Sequence, residues 1–319
     1  IFTATLLKKL GFLSPRTFFV KAKINGHDGK YIFQEDLRKE FLEFSSLREG
    51  PILEGDERFT IMLKDSDNTS KKKTNLAKLA NKKFAKKSIY NSFVGLNAVS
   101  NLNTLYLHNH KFQVKNKFLT DDLYLFTEDL FTNKKNVEQL EVFESLVFAL
   151  DADHGLSFDD RRFYFNSIER SFEPIYYDGK SKILEKKQIL NLNALKKNSS
   201  LEAKRGAKKA INRLAKINNL DLLKELNRAG LSLSELQLQN IIRKITKRLQ
   251  FISNSEPREI KVAKLDQYFS TFEEKDSSNK KLVFTNFNLK KFYICSFNLV
   301  NCNTIQNNDL EYKYNLAEA

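Results

Sequence analysis

The sequence predicts an α+β fold, and three patterns carry that prediction. Short runs alternating apolar and polar residues flank a turn signal, with Thr17–Ile24 and Lys30–Phe33 on either side of Asn25-Gly26. Longer stretches place apolar residues at helical spacing, above all Val137–Leu150 and most of 185–252. The end of the chain, Lys281–Tyr314, alternates Val, Phe, Tyr, Ile and Cys with polar residues and reads as several further strands.

Composition supports a real core. The chain has 319 residues, 41% of them hydrophobic, with 27 Phe and 11 Tyr, which argues against global disorder and is enough for one large domain or two smaller ones. Lys and Arg number 54 against 39 Asp and Glu, a formal charge of +15 spread over many segments. Such a surface favours anionic partners, and it is also what a general Lys/Asn/Ile bias would produce. Two cysteines, Cys295 and Cys302, exclude a disulfide framework and leave room for a single bridge. No run of about 18 apolar residues occurs, so no transmembrane segment is predicted. The opening at Ile1, running into Leu6-Leu-Lys-Lys-Leu10-Gly11, reads as the end of a helix at a glycine cap. It suggests a fragment trimmed upstream, and no signal-peptide pattern precedes it, so localisation stays open.

In chain order, Pro15 breaks the path after that helix and the hairpin follows, its loop Asn25–Gly29 long enough to exceed two residues. Leu37, Phe41, Leu42 and Phe44 mark a helix; Arg48–Glu57, with two glycines and a proline, reads as a compact loop. Residues 65–75 have no apolar member and read as a mobile loop, and 76–100 read as helix. Asn101–Lys117 is ambiguous; as a strand it would put His108 and His110 on one face, a weak metal signal. Asp121–Leu130 and Val137–Leu150 are predicted helices, and the second runs its core-facing stripe directly into Asp151. In 185–252, Ser232 with Glu235 three residues on resembles a capping box, and Lys204, Arg205, Lys208, Lys209, Arg213, Arg243, Lys244, Lys247 and Arg248 fall on the polar faces. Residues 253–259 and 273–280 read as loops.

The segment Ala152–Gly179 concentrates the chemistry. It holds Asp153, His154, Asp159, Asp160 and Asp178, separated by the aromatic runs Arg162–Phe165 and Phe172–Tyr177. The pattern is a carboxylate-rich loop, two strands, and a carboxylate at a strand end beside a glycine. Carboxylates gathered this way repel one another unless a divalent cation such as Mg2+ sits among them. Two readings fit: a metal-dependent phosphoryl-transfer site, or a solvated acidic loop beside a hairpin. Arg161 and Arg162 would either contact phosphate or lock the loop to a carboxylate.

Two segments resemble a known family. Asn25–Glu35, NGHDGKYIFQE, is similar to the NG…G-x-Y-x-x-x-E hairpin of the CotH family, atypical protein kinases named after a spore-coat protein. The 152–179 segment resembles that family's catalytic segment, and Arg48-Glu-Gly-Pro51 lies between the two, so the similarity spans roughly residues 1–184. The resemblance implies a protein-kinase-like fold: an incomplete β N-lobe over 1–36, a mainly helical C-lobe over 37–252, and a linker with β-rich segment over 253–319. It implies Glu35 at the hinge beside the adenine of ATP, Asp153 at the catalytic position, and Asp160 where the family has a metal-binding Asn. Asp178-Gly179 would begin the counterpart of the kinase Asp-Phe-Gly motif, with Asp178 on Mg2+. His154, beside Asp153, reads as a supporting residue of the catalytic loop. The implied activity is transfer of the ATP γ-phosphate to Ser or Thr of a protein substrate. The sequence departs from the family in two places. Asp160 adds a negative charge, and the upstream Lys and Glu that grip ATP have no counterpart, so this stretch alone is expected to bind ATP poorly. Two other readings remain: a non-catalytic kinase-like scaffold, and a nucleic-acid-binding protein using the basic helices of 195–252, which the interleaved Glu202, Asp221, Glu225 and Glu235 weaken.

Overall fold

The computed structural model describes residues 1–64, 71–113, 134–157, 160–185, 201–255, 281–286, 291–296 and 302–305. Helix α1 (Phe2–Lys9) leads into the hairpin β1 (Thr17–Ile24) and β2 (His27–Gln34), then α2 (Lys39–Phe44). Strands β3 (Ile52–Lys64) and β4 (Lys71–Leu79), short α3 (Lys82–Lys86) and long α4 (Ile89–Gln113) follow. Next come α5 (Lys134–Ala149), a single 3-10 turn (Asp153–Leu156), β5 (Arg162–Asn166) and β6 (Ser171–Ile175). Helices α6 (Leu201–Leu214), α7 (Asn219–Arg228) and α8 (Glu235–Ser253) precede β7 (Lys281–Asn286), β8 (Lys291–Ser296) and β9 (Cys302–Ile305). The fold is α+β, and the described residues form three small antiparallel sheets ordered β1-β2, β4-β3-β5-β6 and β7-β8-β9.

Local sequence accounts for many of these ends. The β1–β2 turn closes on two residues, with Asn25 at φ 50° and Gly26 at φ 84°, the left-handed pair a tight hairpin turn needs; the longer loop does not form. Helix α1 stops at Gly11 (φ 86°), where the Gly11 N–H donates to Lys8 and the Phe12 N–H donates to Leu7, satisfying two terminal carbonyls. Helix α7 ends the same way at Gly230.

Elsewhere the structure corrects the sequence reading. Residues 52–57 belong to β3, and 71–79 form β4, paired from Leu53↔Leu79 to Lys64↔Lys71. Periodicity fails here because a lysine-rich strand at a sheet edge shows no apolar alternation. Positions 101–113 continue α4, so 108 and 110, two apart on a helix, do not share a face. The cap of α8 is Ser234, not Ser232; its hydroxyl accepts from the Gln237 N–H while the Gln237 side chain accepts from the Ser234 N–H. The expected helix 121–130, the loop residues 65–70 and Asp159 lie outside the described residues. Register sets position 295 opposite 302 across β8 and β9.

Helix α5 is the axis of the core. Val137 and Leu140 at its start pack with Leu53, Ala98, Leu102, Phe163, Phe165 and Phe172 of the sheet and α4. Its later residues, Val142 to Leu150, pack with α1, α6, α7 and α8. Because both faces are covered, its polar residues must find partners inside. Ser145 donates to the Ala203 carbonyl, Glu141 pairs with Arg205 at 2.6 Å, and Glu144 faces Arg161 at 3.6 Å. Gly206 makes the α5–α6 approach possible, since a Cβ there would overlap the Glu141 backbone.

Candidate metal centre

The centre is assembled from the end of α5, the turn after it and the open end of the β5–β6 hairpin. Helix α5 terminates at Asp151, which adopts φ 56° and takes the left-handed position glycine usually fills. Its N–H donates to the Phe148 carbonyl and the Ala152 N–H to the Val147 carbonyl. A carboxylate occupies this strained position because Arg248 lies behind it, 3.6 Å away, with its Nη1 donating to the Ala149 carbonyl. Lys182 N–H and the Ser181 hydroxyl close the same corner onto Asp151 and Leu150 carbonyls.

From that corner the chain makes its 3-10 turn and exposes His154. Gly155 lies against the returning strand, where a Cβ would be 2.7 Å from the Tyr177 carbonyl and 3.2 Å from Gly179 Cα. Gly179 is packed as closely, its missing Cβ 2.5 Å from the Tyr176 ring and 2.9 Å from the Ala152 carbonyl. Two glycines thus let the turn and the strand end meet backbone to backbone. The hairpin supplies the rest: Arg162 pairs with Ile175, so the residues just outside the pair, Asp160 and Asp178, flank the same open end.

These constraints bring three ligand atoms together. One nitrogen or oxygen each from His154, Asp160 and Asp178 lie within 4.8 Å of one another. His154 Nε2 is 3.0 Å from Asp160 Oδ2 and 3.9 Å from Asp178 Oδ2. The Ser157 hydroxyl donates to Asp160 Oδ2 at 3.2 Å. Lys180 Nζ stands 2.5 Å from His154 Nε2 and 3.9 Å from Asp178 Oδ2. His154 and Asp160 are partly exposed and Asp178 is exposed, so the cluster is open to solvent. Behind them Tyr176 is partly buried against the main core; desolvation above all, and then the Asp178 charge, pushes its phenol up to about 12, against a hydrogen bond with Thr3. It stays neutral and acts as a wall under Gly179.

The remaining residues singled out from sequence have other surroundings. Asp153 is exposed at the start of the turn and is not one of the three converging groups. Arg161 is buried against Glu144, and Arg162 binds Glu54 while its guanidinium stacks 3.9 Å over the Tyr177 ring. Both arginines therefore face carboxylates, and Arg162 braces the residue just before Asp178. Glu35 is buried, accepting from the Arg16 N–H at 3.2 Å and its guanidinium at 2.6 Å. Sequence reading did not single out Lys180, Glu54 or Glu144; the run Asp178-Gly179-Lys180 was the one local signal for Lys180. No family model matches the chain, and no curated protein matches it.

Proposed function

We propose that this protein is a metal-dependent phosphotransferase of the CotH type, transferring the γ-phosphate of ATP to a Ser or Thr of a protein substrate. The convergence of His154, Asp160 and Asp178 carries the reading. The donor set suits a divalent cation: two carboxylate oxygens serve Mg2+ or Mn2+, and the imidazole tilts the set toward Mn2+ or another borderline metal. Asp160 and Asp178 would hold the ion and His154 would complete the set. The bound ion would supply neutralisation of phosphate charge. Asp153, exposed beside the set, would orient or deprotonate the acceptor hydroxyl, and its exposure suits a protein substrate that must approach from solvent. The path of helix, acidic turn, hairpin and terminal Asp-Gly follows the order of a kinase catalytic segment.

The test is phosphotransfer from labelled ATP to an acceptor protein, with Mg2+ or Mn2+, by the whole protein and by Asp178→Asn. Loss of transfer with an unchanged circular dichroism spectrum is expected; undiminished transfer sinks the role of Asp178. A kinase-like scaffold is the second reading, favoured by Glu35, which is tied to Arg16, and by Arg161 and Arg162, which are tied to carboxylates. Nucleic-acid binding by the basic helices is disfavoured, because Arg205, Lys209, Arg213, Lys244 and Arg248 turn to Glu141, Glu138, Gln139, backbone carbonyls and Asp151. No helix among the described residues is long and apolar enough to cross a membrane.

A further inference from the structure

The geometry points to Lys180 as the resident counter-cation of this centre, displaced when a divalent ion binds and thereby delivered to the anionic phosphate oxygens of the substrate. The inference rests on the metal-dependent reading above and adds to it a residue which that reading leaves without a role.

Lys180 stands against the same His154 nitrogen that faces Asp160. That Nε2 lies 2.5 Å from the Lys180 ammonium and 3.0 Å from an Asp160 carboxylate oxygen. An imidazole nitrogen either carries a proton or offers a lone pair. Nε2 therefore serves one neighbour at a time: as an acceptor from Lys180 it has no proton for Asp160, and as a donor to Asp160 it has no lone pair for the ammonium. A divalent cation resolves the conflict, because it meets the lone pairs of Nε2 and both carboxylates at once. An ammonium at the same place neutralises only part of the two carboxylate charges.

The backbone keeps Lys180 at this post. Asp178 has φ 36° and Lys180 φ 46°, a left-handed region that non-glycine residues seldom occupy, on either side of the wedged Gly179. Lys180 nevertheless has an exposed side chain, and its four-carbon stem turns without disturbing the backbone. A divalent ion among the three ligand atoms repels the ammonium, and a metal-bound phosphate attracts it. Lysine is suited to that second task as a mobile point charge.

The experiment is a Mn2+ titration of the whole protein, read by loss of the free-ion signal in electron paramagnetic resonance, with and without inorganic phosphate. Wild type, Lys180→Met and Lys180→Arg are compared. Lys180→Met removes the charge and keeps the stem, so it is expected to bind Mn2+ about tenfold more tightly without phosphate, while Lys180→Arg stays near wild type. Phosphate is expected to tighten Mn2+ binding in wild type and not in Lys180→Met. Equal Mn2+ affinity in wild type and Lys180→Met overturns the counter-cation role, and an equal phosphate effect overturns the delivery step. Mn2+ binding by neither protein overturns the metal centre itself, a different failure from the first two.

Discussion

The carboxylate of Asp151 lies 3.6 Å from Nη2 of Arg248, and both side chains are buried, Arg248 to 1% exposure. This contact joins α8 to the end of α5, at the corner from which the acidic turn departs. Removing one member of a buried pair leaves the other charged without compensation, which costs about 3 kcal/mol or more. Arg248→Met is therefore expected to lower stability by about 3 kcal/mol in urea denaturation, and Asp151→Asn added to it should restore part of the loss. A change of less than about 0.5 kcal/mol in the single variant would show that the corner is held by packing alone.

Gly179 and Gly11 are both glycines for backbone reasons, but of different kinds. At Gly179 a methyl group would press on the Tyr176 ring and the Ala152 carbonyl; at Gly11 nothing lies within 4 Å, and only φ +86° resists substitution. Gly179→Ala is expected to cost about 1–3 kcal/mol and to spread the three ligand atoms, so Mn2+ binding falls with it. Gly11→Ala is expected to cost about 1 kcal/mol and to leave Mn2+ binding intact. Parallel denaturation and Mn2+ titrations check the pair.

His154→Ala, Asp160→Asn and Asp178→Asn should each weaken Mn2+ binding about tenfold or more, with circular dichroism unchanged. Asp153→Asn is expected to do the opposite: metal affinity stays, and phosphotransfer falls by about 10²-fold or more, the usual worth of a general base. Equal loss of metal binding in Asp153→Asn would move that residue from the acceptor side to the ion.

Burial raises the pKa of the Glu141 carboxyl, and the Arg205 guanidinium only partly opposes it. A carboxyl raised in the folded state contributes stability that is fully present below its unfolded value of about 4.3 and is lost as pH climbs through the raised value. Glu141→Gln removes that dependence. The stability of wild type relative to Glu141→Gln should thus decline from about pH 4 to pH 7, as read from melting temperatures across that range. A constant gap would mean that Arg205 cancels the burial in full.

Much of the fold was legible where the cause is local. Asn25-Gly26 demands a tight turn because both positions need positive φ, and Gly11 ends α1 for the same reason. The aromatic runs at 162–165 and 172–177 read as strands, and 137–150 as a helix, from their own spacing, and the structure ends the second strand at Ile175. Strand β4 was not legible, since Lys71, Lys72 and Lys73 pair with Leu63, Met62 and their neighbours by register, with no pattern of their own. The Ser234 cap was displaced by two residues for a related reason: Ser232 and Ser234 are chemically alike, and only the helix start selects between them.

In the centre, local pattern was enough to show that acids gather between 153 and 178, that Asp178 follows an extended aromatic run, and that a glycine comes after it. Which of them meet depends on strand pairing and on the approach of distant backbone. Antiparallel pairing of Arg162 with Ile175 folds the hairpin back so that Asp160 and Asp178 share one end, although they stand eighteen positions apart. The contact of Gly155 with Gly179 then draws in His154 and leaves Asp153, its neighbour, facing solvent. A ligand set depends on strand register and backbone approach, and those are set by pairing and packing between segments, not by the identity of the acids.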